Sequence, residues 1–124
     1  MIEAVKKFFV NYTNFKDRTT RKDYWLTILG IFIITFVISF VLGLVTELLG
    51  TDMKTFAGAS VLELVLALAL IVPSIAMSVR RLHDINKSGW FYLVDFIPLV
   101  GPFILLVFEL SPSVEEDNNY GVQL

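Results

Sequence analysis

Long unbroken apolar runs, not alternation or one-sided helical stripes, organise this chain. From Tyr24 to Thr46 there are 23 residues without Asp, Glu, Lys or Arg, and Ile, Phe, Val and Leu occupy every helical face. A helix of that length covers about 35 Å, enough to cross a hydrocarbon core of about 30 Å. With no water-facing stripe, the run predicts a membrane segment over residues 24–49. Gly30 and Gly43 inside it predict close approach of a neighbouring helix. The run is about twice the length of a signal-peptide core and no small-residue cleavage site follows it, so it reads as a retained anchor.

A second apolar segment covers residues 62–79, with Glu63 at its start and Pro73 inside. A proline kink is tolerated in lipid when a neighbour satisfies the freed carbonyl, and Ser74 and Ser78 are the nearby candidates. A third covers 89–108, interrupted by Asp95, with Pro98, Gly101 and Pro102 at its middle. The expected form is a kinked spanning helix. The alternative is a re-entrant hairpin turning at Pro98–Pro102, whose arms are each too short to cross alone. Before the first run, Ile2, Val5, Phe9 and Tyr12 recur at helical spacing, with Lys6 and Lys7 on another face. Residues 1–23 therefore predict a short amphipathic helix in the membrane interface, or else a packed cap. The fold class is all-α, an integral membrane helical bundle of one domain, with an acidic tail over 109–124.

Composition narrows the function classes. Hydrophobic residues make up 56% of the 124 and charged residues 18%, with a mean hydropathy of +0.72. That excludes a disordered chain and a basic nucleic-acid-binding domain. There are no cysteines and one histidine, so disulfides, thiol catalysis and a multi-histidine metal site within one chain are excluded, and no cofactor is expected.

The spread of charge sets an orientation. Lys6, Lys7, Lys16, Arg18, Arg21 and Lys22 precede the first segment, and Arg80, Arg81 and Lys87 lie between the second and third. Only Lys54 falls in the first loop, and none follows Phe108. Positive residues stay cytoplasmic, which places the N-terminus and the Arg80–Lys87 loop inside and the Glu47–Glu63 loop outside. The side of the tail depends on whether the third segment crosses. Tyr24, Trp25, Trp90 and Tyr92 sit where interfacial aromatics belong.

Candidate chemistry concentrates in two cytoplasmic basic clusters. In RRLHDINKSGW, Arg80, Arg81 and Lys87 are cationic donors, Arg80 and Asp84 are spaced to pair on a continuing helix, and Asn86 and Ser88 read as helix-end and helix-start residues. Trp90 closes the motif. In FKDRTTRKDYW, Arg18 and Arg21 share a face, Thr19 or Thr20 caps the entering helix, and Asp23 lies in its first turn. Together Arg18, Arg21, Arg80, Arg81, His83, Asp84, Ser88 and Trp90 form a candidate site for an anionic lipid head group or a protein partner, beside the plainer reading of cytoplasmic charge plus helix caps. His83 is the one candidate general base, yet no paired nucleophile is identifiable, so no catalytic residue is assigned and the chain reads as a non-enzyme. Asp95, roughly 10 Å into the third segment, is an intramembrane ionisable residue. It reads as the partner of an inward-reaching arginine such as Arg80, or as part of an ion or proton route in an oligomeric transporter or channel subunit.

The pattern NFKDRTTRKDYW, an apolar span, VRRLHDINKSGWFYL, IPLVGP and a tail with NNYG closely resembles the bacterial inner-membrane family known as domain of unknown function 805. The resemblance runs from about Phe15 to Gly121. One departure is Asp17, where the family usually has glycine before the first arginine. The resemblance implies a small multi-pass protein of the bacterial plasma membrane with no established activity, and it implies that Asn119, Tyr120 and Gly121 lie near the arginine loop. On these grounds the expected function is a membrane module binding anionic lipid or a membrane partner, with a homo-oligomer as a further possibility.

Overall fold

The computed structural model describes residues 1–50, 52–114, 118–121 and 123–124. Its elements are α1 (Ile2–Val10), α2 (Arg21–Leu49), α3 (Met53–Asp84), a 3₁₀ helix (Gly89–Phe96) and α4 (Val100–Leu110). Helices α2 and α3 have 29 and 32 residues. At ~1.5 Å per residue each exceeds 40 Å, so both are long enough to cross a bilayer. They form a hairpin whose outer faces are apolar and exposed, including a stacked ladder of Phe32, Phe36 and Phe40 on α2. An exposed surface of that kind belongs to a membrane helical bundle, where lipid replaces a protein core.

Capping fixes where the helices start. The Thr20 hydroxyl accepts from the Asp23 amide at 3.1 Å and opens α2. Asp52 does the same for α3 by accepting from the Thr55 amide at 2.9 Å, and hydrogen bonding from the Thr55 side chain, then from that amide, holds the exposed carboxyl below its ordinary pKa. Ser88 accepts from the Trp90 amide and opens the 3₁₀ helix. Asn86, at φ 59°, provides the left-handed residue just beyond the end of α3.

Helix α1 lies across the N-terminal end of the hairpin. It buries Ala4 and Phe8, the latter in a cluster with Tyr24 and Met77. Ile2, Phe9 and Val10 remain exposed, so α1 is at once a packed cap and a helix with an unburied apolar face. Of the two glycines expected to permit close helix contact, Gly30 admits α1, since a Cβ there would lie 2.5 Å from a Val5 methyl. Gly43 has no neighbour within 4 Å.

Pro73 has no amide hydrogen, so the Ala69 carbonyl one turn earlier loses its helical donor. Neither Ser74 nor Ser78, the candidates nearest in sequence, is the substitute. The hydroxyl of Tyr12 takes the role, donating to the Ala69 carbonyl across 57 positions of sequence. Tyr12→Phe should therefore strand that carbonyl and lower stability by about 1–3 kcal/mol. Thermal unfolding in detergent micelles, with Tyr12→Phe against the parent, measures it, and an unchanged midpoint would refute the assignment.

The third apolar segment departs from a kinked spanning helix. It splits into the eight-residue 3₁₀ helix and the eleven-residue α4, joined by a turn at Ile97–Leu99 with Leu99 at φ 66°. The arms lie so close that a Cβ on Gly101 would meet the Val94 carbonyl oxygen, and Gly101 donates from its amide to Ile97 at 3.0 Å. Two short arms folded on each other return the chain to the end from which it left. Leu105 of α4 packs with Leu82 and Ile85 at the end of α3. Among the tail acids, Glu115, Glu116 and Asp117 lie outside the described residues; Glu109 is buried.

Candidate functional site

Four stretches of chain meet where α3 ends: residues 11–25, the end of α3, the end of α4 and the tail. The two arginines there have different jobs. Arg80 is 1% exposed; its Nε donates to the Thr19 hydroxyl at 2.9 Å, and its Nη1 donates to the carbonyls of Asn11 at 2.8 Å and Asn14 at 3.0 Å. The Thr19 amide donates back to the Arg80 carbonyl. Arg80 thus ties the N-terminal segment to α3. It does not pair with Asp84, as the four-residue spacing predicts, nor reach toward Asp95.

Arg81 is fully buried and makes the Asp84 contact instead, Nη1 to Oδ2 at 2.8 Å over a three-residue spacing. Its Nε donates to the Glu109 carbonyl at 3.1 Å, and its Nη2 to the Ser111 carbonyl. Those carbonyls lie at the end of α4, where a helix leaves acceptors without internal donors, so a buried guanidinium serves as their cap. Asp84, also fully buried, gathers further donors from the tail: the Ser113 hydroxyl on Oδ2 and the Gln123 amide on Oδ1 at 2.8 Å. Arg18 Nη1 stands 3.8 Å from the same Oδ1 and donates to the Val114 carbonyl. A buried carboxylate is tolerated only when its lone pairs are met in this way.

His83 faces the other way. Its Nδ1 lies 3.2 Å from the Asp17 carbonyl, and its ring stacks on Tyr120 with centroids 4.1 Å apart and planes 2° from parallel. Asn118 donates to the His83 carbonyl, and the Asn119 amide to the Asn86 side chain. The tail residues Asn119 and Tyr120 thus rest on the arginine loop, as the family resemblance implies. Ser88 and Trp90 border the same cleft as His83; Trp90 is exposed, and no His83–Ser88 hydrogen bond is present among the described residues.

Arg21 is exposed at the start of α2, with one nitrogen on the Leu110 carbonyl. Asp95 is half-buried in the 3₁₀ helix, in the electrostatic neighbourhood of Tyr92 and Glu109, and takes part in no ion pair among the described residues. Glu109, which the sequence pattern assigns to an acidic tail, turns inward toward Tyr24 and Ser78. The Trp25 indole donates to its carbonyl at 3.1 Å.

The whole constellation draws on RRLHD, the SGW segment and the tail, and it can be compared with known proteins. Residues 12–122 match the family described as Protein of unknown function (DUF805). The chain belongs to this family. It is 33% identical over 115 residues to Inner membrane protein YhaH of Escherichia coli (strain K12), covering 93% of this chain and 90% of that protein. It is 32% identical over 111 residues to Inner membrane protein YhaI of the same strain, covering 90% and 86%. No solved structure gives a significant match. In this DUF805 chain the arginine–aspartate motif closes on the tail, and both members of the arginine pair spend their donors on protein acceptors.

Proposed function

We propose that this DUF805 chain is a non-enzymatic inner-membrane module that engages anionic lipid head groups at the end of the bundle carrying both basic clusters. The observation that carries the reading is the division of labour among cations at that end. Arg80 and Arg81 are buried and committed to protein oxygens, while Lys6, Lys16, Arg21, Lys22 and Lys87 around them are exposed. Interfacial aromatics lie at the same level: Trp25 against Glu109, and Trp90 projecting outward. In this reading the end is cytoplasmic, as the charge asymmetry requires, and the tail shares it because the third segment re-enters. The buried network shapes the surface; the exposed ring meets the phosphates.

Basic residues at an anionic leaflet contribute about 1 kcal/mol each. Purified from membranes of mixed lipid, the parent should therefore retain phosphatidylglycerol in preference to phosphatidylcholine. The triple variant Lys16→Gln, Arg21→Gln, Lys22→Gln should lose that enrichment, and Lys54→Gln, at the opposite end of the helical hairpin, should keep it. Native mass spectrometry of the lipid adducts reads both. Equal enrichment in parent and triple variant would remove the proposal.

A further inference from the structure

A cleft of about 480 Å³ opens beside His83, lined by Phe15, Ile75, Val79, Ser88, Trp90 and Leu93. That volume lies within the range of ligand pockets. Its floor is one face of α3, and the face continues: a second hollow of about 230 Å³ shares Ile75 and Tyr92 with the first and adds Ala67, Leu70 and Ile71. Ala67, Ile71, Ile75, Val79 and His83 recur every four residues, so they form a single ridge. The sixteen helical rises from Ala67 to His83 make that ridge roughly 24 Å long. The ridge is apolar from Ala67 to Val79 and ends at His83, with Ser74 and Tyr92 the polar side chains that border the second hollow. One leaflet of hydrocarbon is about 15 Å deep, so the groove accommodates a full alkyl chain lying along α3.

The polar end specifies the head. The Asp17 carbonyl can only accept, so His83 Nδ1 carries the proton. In that Nδ1–H tautomer Nε2 is the acceptor; it has no hydrogen-bond partner among the described residues and looks into the cleft that His83 lines, the residue as a whole being 7% exposed. Room beside Nε2 comes from Gly89, where a Cβ would stand 3.5 Å from Nε2 and 2.8 Å from a Val79 methyl. The Ser88 oxygen accepts the Trp90 amide, which leaves its own proton to donate. One acceptor and one donor at the mouth of the groove match a hydroxyl, which offers both.

From this geometry we infer that the groove between α3 and the 3₁₀ helix binds a single-chain amphiphile with a hydroxyl-bearing head, the head at His83 and Ser88 and the chain along Val79, Ile75 and Ile71. None of the exposed cations lines the groove, although Trp90 borders both surfaces. Long-chain alcohols and protonated fatty acids share this chemistry.

The test uses the full chain in phosphatidylcholine nanodiscs with a diazirine-tagged hexadecanol, and tagged palmitic acid in a parallel arm. Photolabelling should saturate, map to the 71–93 stretch, and be displaced by unlabelled hexadecanol but not by hexadecane. Efficient labelling by only one of the two probes would identify which source occupies the site. Val79→Trp fills the groove and should abolish labelling with the melting midpoint kept. His83→Phe retains the stack on Tyr120 and should weaken labelling roughly fivefold, the equivalent of one hydrogen bond of about 1 kcal/mol. The Lys16, Arg21, Lys22 triple variant should label as the parent does. Equal displacement by hexadecane, labelling spread over Phe32–Phe40, equal labelling of the same stretch by tagged phosphatidylcholine, or undiminished labelling of folded Val79→Trp would each overturn the inference.

Discussion

Asp84→Leu is expected to cost the fold about 3–5 kcal/mol, the range for removing one partner of a buried ion pair. The reason is the company Asp84 keeps. Arg81 is buried beside it and donates to it, and without the carboxylate that guanidinium stays out of water with only backbone carbonyls for compensation. The Ser113 and Gln123 side chains lose their acceptor in the same step. Thermal unfolding in detergent, followed through Trp25 and Trp90, should show a large fall in midpoint. Arg81→Met alone should be comparably harmful, and the double variant should recover part of the loss, since a buried pair replaced by apolar side chains is often near neutral. Additive losses would mean that the two residues act independently.

Arg80→Lys is the second large effect, and it separates the two arginines. Lysine keeps the charge but not the fork that spans Thr19, Asn11 and Asn14 at once. Hydrogen bonds to a charged group contribute about 1.5–3 kcal/mol each, so losing one or two of the three weakens the tie between the N-terminal segment and α3 substantially. The expected signature is local. Trypsin should cut at Lys16 and Arg18 much faster than in the parent, while the tail stays protected. In Asp84→Leu the tail should loosen first. Equal protection of the N-terminal segment in Arg80→Lys and parent would show that the three bonds do not hold it.

Much of the architecture is legible in residue order because lipid imposes a strong filter. The charge-free run from Tyr24 onward and the long apolar stretch before Arg80 have few alternatives to helix. Thr20, Ser88 and Asn86 announce their positions by local chemistry alone. The third segment carries a weaker signal. Its hydropathy is that of a span, and only Pro98, Gly101 and Pro102 mark the turn that splits it. Whether such a cluster kinks a helix or reverses it depends on the close packing that Gly101 allows against Val94, which no linear pattern encodes. The same holds for the network. RRLHD is conspicuous as a motif, yet choosing between Arg80 and Arg81 as the partner of Asp84 depends on which face of α3 meets α4. Glu109 looks like the start of an acidic tail until α4 is folded back. Tyr12 bears no local sign that its hydroxyl serves a carbonyl beneath Pro73.

The polar knot joins residues far apart in the chain: Arg18 with Val114, Arg21 with Leu110, Trp25 with Glu109. A polypeptide synthesised from its N-terminus cannot complete these bonds until the last stretch has emerged. Helices α2 and α3 can therefore form before closure, and Arg80, Arg81 and Asp84 must wait without their final partners. Their position at the end of the helices, rather than midway along them, makes the wait harmless, because water at the bilayer surface solvates them in the interval. The same residues placed two turns deeper would have left the nascent chain with bare charges in oil.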